Sequence, residues 1–217
     1  MSLKQRAFAE FLGTAGLLIV VVGSGIMGES LSQGNAAIAL LANSIATGAG
    51  LYALIQTFGS ISGAHFNPAV SLTERLCGRL STKELSVYTS SQILGGIVGV
   101  FATHLMFGQE VLQLSTHNRG ELRFYFSEVV ATFGLLMVIA FSGKKNVEAT
   151  PRAVALYITG AYWFTSSTSF ANPAVTIARS LTNTFSGIQW TGAPGFIVAQ
   201  LMAVCLVLIV SRVLSVR

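Results

Sequence analysis

Charge is what this chain has least of. Charged side chains make up 10% of its 217 residues, and aspartate is absent. An ordinary soluble domain carries about 25% charged residues, so a surface built to face water is excluded and a bilayer becomes the expected solvent. Proline is scarce at four residues, whereas glycine is plentiful at 22; glycine is frequent where membrane helices pack closely. Only two cysteines occur, Cys77 and Cys205, far apart in apolar contexts. They have no metal-ligand or redox spacing and read as two core thiols, so no metal or cofactor is expected. Enzyme chemistry is excluded for want of a catalytic constellation. His104 and His117 belong to no motif.

What is present is apolar: 52% of residues are hydrophobic and the mean hydropathy is +0.67. The pI of about 9.6 does not point to nucleic acid, because the basic residues sit in short loops and form no tract. After MSLKQRAF the apolar run is too long for a signal-peptide core and shows no small-x-small exit, so it reads as a retained first helix. Spanning takes about 20 apolar residues, and six candidate spans follow: Ala7–Met27, Ala36–Phe58, Leu85–Phe107, Phe124–Phe141, Ala153–Thr168 and Ala193–Val213. With six spans both termini share one face. Lys4, Arg6, Arg75, Arg79, Lys83, Lys144, Lys145, Arg152, Arg212 and Arg217 lie on that face, against Arg119, Arg123 and Arg179 on the other. The positive-inside rule then makes both termini cytoplasmic.

The chain also repeats itself. HFNPAVSL, from His65, and FANPAVTI, from Phe170, lie 105 residues apart. Upstream, AEFLGTAG pairs Glu10 with Glu128 in SEVVATFG. Downstream, SQILGGIVG pairs Gln92 with Gln200 in AQLMAVCLV. Each half, about 1–110 and 119–217, holds three spans, so the halves insert in opposite directions. This arrangement places a site at the midplane between them, within a single channel domain.

Asn is a strong N-cap and Pro is favoured at the first helical position. Asn67-Pro68-Ala69 and Asn172-Pro173-Ala174 therefore read as starts of short helices, running to about Arg79 and about Thr182. These enter from opposite faces and meet N-terminus to N-terminus. Each brings roughly half a positive charge to the centre, a barrier to cations, while the Asn amides can donate to a passing oxygen. Irregular backbone at that depth must be buried in protein or line a watery cavity.

These motifs resemble the aquaporin and aquaglyceroporin (major intrinsic protein) family over essentially the whole chain. ISGAHFNPAV, the second Asn-Pro-Ala and the Glu and Gln pairs carry the likeness. The resemblance implies an all-α membrane protein: a right-handed bundle of six transmembrane helices plus two half-helices, with one pore per subunit and usually a homotetramer. A carboxylate in a span is a functional-site hypothesis by default. Glu10 and Glu128 serve either proton coupling or loop support, and their symmetric repetition favours loop support, their role in the family. His65 either lines the cytoplasmic mouth or steadies the loop.

The resemblance also implies a selectivity filter of four positions near the extracellular mouth. Counted from the two Asn residues these are Thr47, Gly160, Ser169 and Val175. The first slot usually holds an aromatic residue and the last an Arg. Here there is neither ring nor fixed charge, so the filter is expected to be wide and the strictness of proton exclusion is in question. Arg179, one turn beyond Val175, reads as a snorkelling side chain on the half-helix surface, although a reach toward the mouth is the other option. The expected function is a passive channel for water and small neutral solutes: glycerol, urea and neutral metalloid hydroxides such as arsenous acid. AYWFTSSTSFANPAVTIARS resembles a bacterial branch linked with arsenic resistance, and short termini and loops fit a bacterial inner membrane. The alternatives are a coupled secondary transporter, which also uses inverted repeats, and a closed-pore structural protein.

Overall fold

The computed structural model describes residues 1–143 and 149–214; Lys144, Lys145 and Arg217 lie outside them. Eight helices occur among the described residues: α1 Leu3–Leu31, α2 Ala36–Ser62, α3 Pro68–Leu76, α4 Thr82–Met106, α5 Leu122–Ser142, α6 Ala149–Phe164, α7 Pro173–Arg179 and α8 Ala193–Val213. Local chemistry sets several starts. Ser2 with Gln5, and Ser81 with Glu84, form capping boxes for α1 and α4, each satisfying two backbone donors. Asn35 caps α2, which ends at Gly63 in the left-handed conformation.

Five helices, α1, α2, α4, α5 and α8, are long and apolar enough to cross a membrane. α6 has sixteen described residues. It ends four residues before the expected span Ala153–Thr168 does. The cause lies after Phe164: Thr168, Ser169 and Ala171 take positive φ and leave the helical path, with Ser169 and Ala171 buried. The hydroxyl-rich residues 165–169 bond within the protein, Thr165 Oγ1 to the Ala161 carbonyl and Ser167 Oγ to Glu128. The half-helices are also shorter than expected, ending at Leu76 and Arg179.

α1 packs on α2 and α4, and α5 on α6 and α8, so each half repeats one arrangement; α2 against α6 and α4 against α7 join the halves. Gly95 and Gly99 let α4 press onto α1. A Cβ at either would run into the α1 backbone, at the carbonyls of Phe11 and Ala15, the small-xxx-small contact of membrane bundles. Large apolar side chains such as Leu122, Leu156 and Ile209 stand exposed on the outside. Cys77 and Cys205 are exposed too, which corrects their reading as core thiols: Cys77 caps the end of α3 beside Arg79, and Cys205 lies on the outer face of α8, where an apolar surface accommodates a thiol as readily as a core does.

Candidate functional site

The site grows from the two Asn-Pro-Ala turns. Asn67 Oδ1 accepts the Ala69 N–H at 2.9 Å, and Asn172 Oδ1 accepts those of Ala174 at 3.0 Å and Val175 at 3.2 Å. Each oxygen is thus spent on its own half-helix. The amide nitrogens cross over: Asn67 Nδ2 donates to the Ala171 carbonyl at 2.7 Å, and Asn172 Nδ2 to the Phe66 carbonyl at 2.8 Å. An Asn amide has two N–H groups, so each keeps one beyond this exchange. Both residues line one cavity of about 660 Å³.

The approach to each turn is strained in the same way. Ala64 and Phe66 in the first half, and Ser169 and Ala171 in the second, have φ between 49° and 53°, a left-handed region that residues with a Cβ seldom occupy. Two buried carboxylates hold these loops. Glu10 Oε1 accepts from Ser62 Oγ at 2.6 Å and from the His65 N–H at 2.9 Å, and its Oε2 from the Phe66 N–H at 2.6 Å and Gln92 Nε2 at 2.8 Å. Glu128 Oε1 accepts from Ser167 Oγ at 2.6 Å and the Phe170 N–H at 2.9 Å, and its Oε2 from the Ala171 N–H at 2.8 Å and Gln200 Nε2 at 2.7 Å. Four donors surround each carboxylate, in the same order in both halves. Backbone that no bilayer water can serve is satisfied in this way.

His65 stands between the cavity and the helices behind it. It lines the cavity, and its Nδ1 lies 3.0 Å from Ser71 Oγ with the ring edge-on to Tyr88. Glu74 also lines the cavity but is held by Arg79 through contacts of 2.6 and 2.7 Å. No group of His, Cys or Glu suited to a metal ion occurs among the described residues.

Of the four expected filter positions, Thr47, Ser169 and Val175 line the cavity. Gly160 does not; α6 contributes Val154, Ile158 and Tyr162 instead. Residues 158 and 162 share a helix face, whereas 160 sits about 200° round from 162 at 100° per residue. Thr47 Oγ1 and Tyr162 Oη are 3.2 Å apart, while Ser169 Oγ is buried with no partner among the described residues.

Arg179 requires a correction. It is 2% exposed and lines the cavity, so it does not snorkel. Its Nε donates to the Ser186 carbonyl, and its guanidinium carbon lies 3.4 Å from the Phe170 ring centroid. The segment after α7 folds back over its end, with the Ile188 N–H reaching the Arg179 carbonyl at 3.2 Å, and so closes the side chain inside.

Sequence reasoning assigned no role to Tyr162, Ser62, Ser167, Ser71 or Thr176. Four of these were findable: Ser62 and Ser167, like Ser71 and Thr176, are 105 residues apart, the spacing of the repeat. Ser71 and Thr176 take the second N–H of Gln92 and Gln200 at 3.0 and 2.9 Å. Tyr162 has no such twin to betray it.

Known proteins resemble this chain. The family model described as Major intrinsic protein matches residues 1–165. The chain is 51% identical over 204 residues to aquaglyceroporin AqpS of Rhizobium meliloti (strain 1021), covering 94% of this chain and 87% of that one. It is 32% identical over 187 residues to an aquaglyceroporin of Toxoplasma gondii (strain ATCC 50611 / Me49), covering 82% and 66%. With aquaporin NIP1-1 of Arabidopsis thaliana it shares 30% over 151 residues, covering 65% of this chain and half of the plant protein. Among solved structures, the aquaglyceroporin from Plasmodium falciparum superposes with a TM-score of 0.74 over 94% of this chain and 95% of its own, at 19% identity, a likeness of fold. A pair of capped, carboxylate-braced half-helices meeting at one cavity, together with these matches, makes this chain a multi-pass membrane channel of the major intrinsic protein family.

Proposed function

We propose that the chain is a passive channel for water and small uncharged solutes with a wide filter, admitting glycerol, urea and neutral metalloid hydroxides such as arsenous acid. The observation that carries this is the lining of the cavity. Thr47 and Ser169 offer hydroxyls, Val175 an apolar wall, and Asn67 and Asn172 one spare N–H each. Such a path hydrogen-bonds neutral oxygen-bearing molecules, and the absence of a guanidinium at position 175 removes bulk and donors together. Gly160, turned away from the cavity on α6 with only Phe164 close to it, supplies no part of that wall.

Coupled transport finds less support. A transporter needs a carboxylate free to load and release a proton, and Glu10 and Glu128 are each saturated by four donors. The wider proposal is six spans in two inverted halves, about 1–110 and 119–217, both termini cytoplasmic, in a bacterial inner membrane and assembled as a homotetramer.

The test is stopped-flow light scattering of proteoliposomes under water, glycerol and urea gradients, with arsenous acid uptake measured in parallel. Conductance above that of empty liposomes for water and at least glycerol is expected. Flux that saturates and demands a proton gradient would mean the transporter instead, and no conductance would sink the channel.

A further inference from the structure

We propose that Arg179 is the charge filter of this channel, supplying from one turn further along α7 the cation barrier that position 175 lacks. The inference rests on the channel reading above and sharpens its selectivity.

Val175 and Arg179 are four residues apart on α7, on one helix face and about 6 Å apart along the axis. Both are buried and both line the cavity. None of the ion pairs among the described residues includes Arg179. A charge buried without a counter-ion is expensive, and the partners it has are neutral: the Ser186 carbonyl and the face of Phe170. They steady the guanidinium without cancelling its charge. No hydrogen bond among the described residues takes up Nη1 or Nη2, and neither is a walled-in unpartnered atom. These ends of the fork are left for what the cavity holds.

The plain alternative is an arginine that pins the loop following α7. The backbone already does that. Ile188 N–H reaches the Arg179 carbonyl at 3.2 Å, Ser115 N–H the Ser180 carbonyl at 3.1 Å, and Gln189 N–H the His117 carbonyl at 2.7 Å. Any residue at 179 would keep these bonds, so the loop does not require the charge. A second guanidinium reinforces the sign: Arg119 donates to the Gly187 and Ser167 carbonyls at 3.0 and 3.2 Å, and its carbon lies 5.4 Å from the same Phe170 ring. Glu128 acts on both guanidiniums through its charge but forms an ion pair with neither, so two positive charges stand against one negative.

Cations, hydronium included, meet a positive potential at Arg179, while a neutral polyol or hydroxide meets the two free Nη groups and their four N–H donors. Because the guanidinium is held over Phe170, one helical turn from position 175, charge exclusion and size exclusion fall to different residues: Val175 and Thr47 set the width, and Arg179 the sign.

The test uses the full-length protein in liposomes. Arg179→Gln is expected to raise valinomycin-driven proton leak, read with an entrapped pH dye, about tenfold relative to its own water flux; Arg179→Lys keeps that ratio near that of the unmodified protein. Persisting water flux with no added leak in the Gln variant overturns the proposal. Should that variant fail to fold, Val175→Cys with Cys77→Ser and Cys205→Ser keeps Arg179 in place. An anionic methanethiosulfonate reagent is then expected to modify Cys at 175 about tenfold faster than a cationic one, and equal rates overturn the proposal. Absence of water flux in the unmodified protein condemns the channel reading separately, because the reagent rates do not depend on flux.

Discussion

Glu10 accepts the side-chain amide of Gln92 at 2.8 Å, and through that contact the first Asn-Pro-Ala loop is tied to α4. The same Gln nitrogen also reaches Ser71 on α3, so one amide joins loop support, half-helix and bundle. Glu10→Gln would keep the shape but turn two acceptor positions into a donor group facing donors. The expected cost is about 1–3 kcal/mol for each donor stranded, seen as a lower unfolding temperature in detergent and a loss of water flux. Glu128→Gln should behave alike, since its four partners match. A variant that keeps full stability and flux would show that the carboxylate is dispensable.

Gly99→Ala places a methyl group against the Ala15 carbonyl. Overpacking of that kind costs about 1–3 kcal/mol. Gly59→Ala, where a Cβ meets nothing within 4 Å, is expected to be neutral or to stabilise α2 by up to about 1 kcal/mol. Denaturation of the two purified variants side by side measures the contrast.

Val175→Arg adds a guanidinium at the cavity wall, four residues before the one at Arg179. Glycerol and urea permeation should fall more than water permeation does, and stopped-flow ratios read the difference. An unchanged ratio means that position 175 is not at the constriction.

Tyr162→Phe frees the Thr47 hydroxyl from its 3.2 Å partner and removes one oxygen from the cavity wall. The stability loss is about 1 kcal/mol. The glycerol-to-water flux ratio should rise, and if neither this variant nor Thr47→Val moves the ratio, the pair does not set the width.

The repeat made much of this legible. Asn67, Asn172, Glu10, Glu128, Gln92 and Gln200 were all readable from paired motifs, because inverted halves must solve the same buried-backbone problem twice. α1, α2, α4, α5 and α8 were readable from length and apolarity. The end of α6 was not, because the Ser and Thr residues that follow Phe164 are tolerated in membrane helices and give no stop signal. Gly160 shows the limit of counting from a motif: spacing along a chain says nothing of helix rotation, and the face of α6 toward the cavity carries Ile158 and Tyr162. Arg179 shows another. Sequence alone makes an arginine at a helix end look like one reaching for the surface, and only the return of Ser186 and Ile188 over it reveals that it is enclosed.

The crossed amides of Asn67 and Asn172 have a mechanical consequence. Each takes its anchor from the opposite half, on Ala171 and Phe66, so the spare donors that a solute meets are aimed by the seam between the halves. A small slide of one half past the other would misdirect both donors together. The precision of the pore centre is therefore a property of the joint, and substitutions at the α2–α6 and α4–α7 seams, far from any solute, should alter permeation before they alter folding.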